Sequence, residues 1–297
     1  MKVIVPTTIT DAMYVSGPPE TDYAAYVAGT TYAVGNRVIR TSTHRVYESL
    51  VAGNLGNTPE TNTTKWLDIG PTNKWSPFDN VIGTFCSQAS PLGISLSPGY
   101  ADSVALLDLA GTSVTVDMTS VAGGGPVYSK TVSLEASAPA DYYEYFFTPF
   151  RQRTSVVLMD LPPFSDGVIT ITLTGTGTVS VGLISVGLGL YIGDARYGAK
   201  VGITDYSTKS ADAFGNTTIA KRPWAKRPSY SLEVPKSIVS YVFERVAALR
   251  GTPCVWVGVP DDPELSLLTV FGFLKDLQPE ATYPKFALCS LEIEGMT

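Results

Sequence analysis

Between residues 103 and 184 the chain falls into short apolar runs, each rich in Val, Ile and Thr and bounded by Gly or Pro. They are Ser103–Leu107, Ser113–Met118, Val127–Val132, Ser155–Met159, Val168–Leu173 and Thr178–Ile184. Strands this short, separated by turn residues, predict an antiparallel sandwich or jelly roll. The pattern changes after Gly187. Ile238, Val239, Val242, Phe243, Val246 and Leu249 recur at helical spacing within Val234–Gly251. Pro235 sits where a first-turn proline is tolerated and Gly251 suits the position just past the helix, so a helix over 235–250 is expected. Strand-like runs flank it at Ser229–Glu233, Cys254–Val259, Leu268–Leu274 and Phe286–Ile293. At the other end, Val3, Val5 and Ile9 alternate loosely, and a strand within 1–15 is expected to join the C-terminal domain. Tyr23–Pro71 supplies two short strand runs, a Gly-bearing turn and Trp66, enough for a very small core. The predicted fold is mainly β, in four parts: an N-terminal strand (1–15), a small module (20–71), a sandwich (78–187) and a β-domain with one helix (188–297).

Composition narrows the function classes. The 297 residues are 44% hydrophobic and only 16% charged, with a net charge of −6. An acidic, charge-poor chain argues against a broad electrostatic hold on nucleic acid. Cys86, Cys254 and Cys289 are widely spaced and His44 is the sole histidine, so neither a disulfide framework nor a Cys/His metal site is expected. Pro6, Thr7, Thr8 and Asp11 interrupt the N-terminus before a signal-peptide core forms. No apolar run is long enough to span a bilayer, and the chain is expected to be made in the cytoplasm and to enter an assembly there.

No motif for nucleophilic, metal or nucleotide chemistry is present, so no catalytic residue and no cofactor is expected. Asp194, Asp205, Asp212, Asp261, Asp262 and Glu264 lie mostly in Gly/Pro-bearing turns, where acidic residues are ordinary. The segment 141–153 sets six aromatics beside two arginines; read as a strand, it buries half of them and leaves Tyr143, Tyr145, Arg151 and Arg153 for an interface rim. The stretch Lys221–Pro228, with Trp224 at its centre, reads as a proline-stiffened arm reaching a neighbouring subunit, with nucleic-acid contact the lesser alternative. His44, in the polar stretch Thr41–Arg45, is either an exposed turn residue or a pH-responsive ligand contact.

Two resemblances add expectations. Tyr32, Gly35, Val38, Tyr47, Pro59 and Trp66 match, in order and approximate spacing, the small chitin-binding modules of bacterial chitinases, with Tyr26 standing where the first Trp is usual. That resemblance implies sugar contact through aromatic ring faces, with Tyr26, Tyr32, Tyr47 and His44 as the contacts. The departure is Leu50–Glu60, which carries no aromatic where the family usually exposes them. More widely, the stretches at 37–54, 66–83, 145–153, 197–222, 250–258 and 289–295 resemble a family of tailed-phage and prophage tail proteins labelled carbohydrate-binding or minor tail proteins. The resemblance implies a non-enzymatic virion part of a tail tip or baseplate, with a galactose-binding-type jelly roll in the middle. It also implies homo-oligomeric assembly as a trimer or ring, other tail proteins as partners and host-surface polysaccharide as a contact. A glycan-degrading enzyme with an appended binding module, and a pure assembly scaffold, are the alternatives.

Overall fold

The structure, a computed structural model, describes residues 1–135, 141–147, 152–211, 214–260, 267–280 and 283–296, with Glu144 and Tyr145 described in backbone only. The chain is mainly β. Strands β1 (Lys2–Pro6) and β2 (Tyr14–Ser16) open it, and β3 (Arg37–Arg40), β4 (Arg45–Ser49) and β5 (Trp66–Pro71) form the small module. Next come β6 (Cys86–Ala89), β7 (Leu92–Leu96), β8 (Ser103–Leu107), β9 (Ser113–Ser120) and β10 (Gly125–Ser133). Helix α1 (Tyr142–Phe147), β11 (Ser155–Leu158), β12 (Val168–Thr174), β13 (Thr178–Val181) and β14 (Leu183–Tyr191) follow. The remainder is β15 (Asp194–Ala195), β16 (Lys200–Asp205), β17 (Thr208–Ala211), β18 (Thr217–Ala220), β19 (Trp224–Pro235), α2 (Val239–Ala248), β20 (Cys254–Val257), β21 (Thr269–Glu280) and β22 (Phe286–Gly295).

A long curled sheet organises the molecule. Its order is β11-β8-β14-β1-β20-β21-β22-β19-β15, with β16 also pairing on β19. The five-stranded sheet β10-β9-β12-β7-β2 packs on one end of it. There Leu92, Ile94, Val114, Val116, Ile169 and Ile171 point inward at every second position and meet Val104, Leu106, Ile184 and Val186. Along β14 and its partner β1, in-register residues put these side chains on the same face as Val3 and Leu190. Further along that face, Val242 and Val246 of α2 pack on Trp256, Leu232 and Leu291. The opposite face carries a smaller cluster, Ile4, Ala105, Leu107, Val255 and Phe271. Strand β8 is thus buried on both sides, which is why Val104–Leu107 reads as an unbroken apolar run rather than an alternating one. The boundary expected at 187–188 falls inside β14, whose nine residues pair with β8 and then with β1.

Two expected elements differ. The helix begins at Val239, not at 235, because Glu233, Val234 and Pro235 pair with Leu288, Ala287 and Phe286 of β22 and are held extended. Gly251, at φ 73°, turns the chain after the helix. Residues 142–147 are helical rather than extended, so the sequence alternation there does not bury alternate rings: Tyr142, Tyr143, Phe146 and Phe147 are all exposed.

Candidate functional site

The small module builds its core from the residues expected to touch sugar. Tyr32, Val38, Tyr47 and Trp66 are buried together, with Tyr26 packed against them. The rings of Tyr32 and Trp66 meet edge-on at 5.2 Å, and Tyr26 stacks on Tyr32 at 5.8 Å. Trp66 donates its indole N–H to the Asn57 carbonyl at 2.9 Å, and the Tyr32 hydroxyl accepts the Val27 N–H at 2.8 Å. Three short strands enclose little space, and the large rings supply most of the volume that fills it. Tyr32 and Tyr47 present no ring face to solvent, being 9% and 6% exposed. The exposed apolar side chains of the module are Tyr23 and the aliphatics Val27, Val34, Leu50, Leu55, Leu67 and Ile69.

His44 lies in the β3–β4 turn at φ 55°, but it is not a free turn residue. Nδ1 lies 3.2 Å from both carboxylate oxygens of Glu20, and Nε2 lies 3.2 Å from Asp11 Oδ2. The ring stacks on Trp75 with centroids 4.2 Å apart. Thr72 donates its hydroxyl to Glu20 at 2.9 Å, and the Lys74 ammonium sits 4.4 Å above the Tyr14 ring. His44 is therefore the pin of the seam between the module and the N-terminal segment.

The other singled-out residues are scattered. Tyr143 is 71% exposed on α1 and stacks obliquely on Phe147 at 4.9 Å. Arg153 is half-buried, and its backbone N–H bonds to the Leu134 carbonyl at 2.7 Å. The side chain of Tyr145 and the whole of Arg151 lie outside the described residues. Trp224 opens β19 and is 51% exposed.

Trp224 borders a feature that the sequence did not announce. The last residues of β8 and β22 and the first residues of β11, β19 and β21 converge on a cleft of about 460 Å3. Leu107, Val270, Phe271, Met296 and Ile82 supply apolar wall, and Thr154, Ser155 and Thr269 supply hydroxyls. Trp224 and Lys226 both line it because residues two apart on a strand share a face. Gly295 closes the floor: a Cβ there would collide with the Lys226 backbone. Asp108 lines the cleft from the turn after β8, held in the left-handed region at φ 53°, with its carbonyl accepting the Gly182 N–H at 3.2 Å. Left-handed backbone in a non-glycine residue is strained and clusters at ligand sites. Burial pushes the Lys226 ammonium below the usual lysine range, and the facing Asp108 charge only partly offsets it. Among the described residues neither side chain has a hydrogen-bond or ion-pair partner. No signal short of the fold joins positions 108, 154, 224 and 295. Among the described residues no cluster of His, Cys, Asp and Glu could hold a metal ion.

Burial also raises the three cysteine thiols, pushing Cys86 and Cys254 up to about 12, so none is poised as a thiolate. No protein-family model matches the chain, and no curated protein matches it.

Proposed function

We propose that the chain is a structural, non-enzymatic component of a phage tail tip or baseplate, present in several symmetric copies and in contact with other tail proteins and host-surface polysaccharide. The observation that carries this reading is the arm formed by β16–β19. The residues of β17 and β18 are exposed throughout, and Ile203, Tyr206 and Ile219 stand open to solvent on it. A two-stranded ribbon is marginal in water, and apolar side chains exposed along it are the kind of surface a neighbouring subunit covers. Helix α1, with its exposed tyrosines and phenylalanines, is a second such surface. Immunogold labelling of induced phage particles with an antibody to this chain tests the reading. Label at the tail tip supports it, and unlabelled particles from an expressing host overturn it.

The outward aliphatics of the small module favour a narrower role for that part, as a protein-docking face rather than a sugar platform. Val34, Leu50 and Leu55 offer no ring for a pyranose to stack on. Changing Leu50 and Leu55 to Ser is expected to remove the chain from assembled particles while leaving the module folded; undiminished incorporation counts against docking there.

A further inference from the structure

We infer that the cleft at the converging strand ends is a binding site for a small zwitterion with an apolar body, of the class of an apolar amino acid or dipeptide. The argument starts from the charges. Lys226 and Asp108 line one cavity from opposite elements, half-buried; they attract each other across it, but neither side chain makes a hydrogen bond or an ion pair with a described residue. Half-buried charges that attract only at a distance keep unmet hydrogen-bonding capacity, which a molecule seated between them completes. A ligand with only one charge would satisfy one wall and be repelled by the other. A carboxylate on Lys226 together with an ammonium on Asp108 satisfies both.

The walls decide what lies between those charges. Leu107, Phe271, Val270 and Met296 are apolar, and the half-exposed indole of Trp224 adds a flat face at the mouth. Thr154, Ser155 and Thr269 can pair only a few hydroxyls, so a polyhydroxylated body would leave others unpaired against the apolar wall, whereas an aliphatic or aromatic side chain is desolvated favourably. The volume of about 460 Å3 lies within the range of small-molecule sites, about 300–1,000 Å3. Asp108 fits the same geometry: its left-handed backbone, held by the Gly182 N–H on the Leu107 and Asp108 carbonyls, sets the carboxylate at the cleft.

This inference goes beyond the tail assignment and does not depend on it, since the measurement uses the purified full chain. Calorimetry with phenylalanine, leucine and a Leu-Phe dipeptide is compared with the N-acetylated and the C-amidated forms, and with glucose. The zwitterions are expected to bind, with each blocked form weakened at least about tenfold. The Lys226→Met variant is expected to bind the amide and the free acid equally, and Asp108→Asn to bind the acetylated and free amines equally. Asn tolerates the left-handed backbone and Met matches the lysine stem, so both variants keep the fold, which near-ultraviolet circular dichroism verifies. Binding indifferent to the blocking groups, glucose binding in place of the zwitterions, or no zwitterion binding at about 10 mM each overturns the proposal.

Discussion

The charge on Lys226 costs the folded chain stability relative to its neutral form. Its folded-state pKa lies below its unfolded value because burial disfavours the ammonium. The penalty is therefore fully present below the folded pKa, and it is relieved as pH rises through the folded pKa towards the unfolded one. Lys226→Met is expected to melt above the wild type at pH 7, with the gap narrowing near pH 10, in paired thermal melts. A variant that melts lower at neutral pH would make Lys226 a structural residue after all. Asp160 has the opposite sign. Burial raises its carboxyl, but hydrogen bonds from Tyr128 at 2.7 Å and Lys130 at 2.9 Å more than offset this and hold it below the usual carboxylate range. Its contribution is present above the unfolded pKa and is lost as pH falls through the folded one. Asp160→Asn is accordingly expected to lower the melting temperature slightly at pH 7 and to have no effect in strong acid.

At the scale of elements, the module and its seam carry separate expectations. Trp66 is 2% exposed and touches both Tyr26 and Tyr32, so Trp66→Ala removes the largest side chain of a four-residue core. A loss of about 3–5 kcal/mol is expected, enough to unfold residues 20–71 while the sandwich stays intact. Hydrogen exchange would register this as lost protection confined to β3–β5. His44→Asn keeps a residue that accepts φ 55° but removes the ring stacked on Trp75. Faster proteolysis between residues 16 and 22, with β3–β5 still protected, is the expected outcome; unchanged cleavage would show that the Thr72–Glu20 hydrogen bond holds the seam without it. These residues also show how far the sequence could be read. Tyr32, Tyr47 and Trp66 were legible as members of one compact unit because aromatics at that density must pack together. Which way their rings turn was not legible, since a sugar platform and a minimal core use the same residue types.

For the whole molecule, the long sheet matters more than the linear order of parts. Strand β14 passes from the sandwich into the shared sheet, with β8 on one side and β1 on the other. The sandwich and the C-terminal region should therefore unfold as one unit, and the module as a second, visible as two transitions in calorimetry. Three transitions would mean that the sheet does not couple the two regions. A fragment ending at 187 would cut β14 and expose the β14 edge of the sheet, with a strong tendency to aggregate.

The amino-acid sequence alone determined the mainly β class, many of the longer strands and the position of the C-terminal helix to within a few residues, but β2, β6, β7 and β15 to β18 are not among the runs it singles out. What it determined is written in local periodicity: alternation in β9 and β12, helical spacing through Val239–Val246, and turn residues between. Tertiary pairing decided the rest. Pro235 belongs to a strand because β22 lies beside it, and β8 is buried twice because both faces of its sheet are covered. His44 is pinned because Glu20 and Asp11 fold back to it. The cleft exists because five strand ends, from residue 107 to residue 295, finish at one place. Local spacing specifies which face a side chain takes, but only long-range pairing specifies what that face meets.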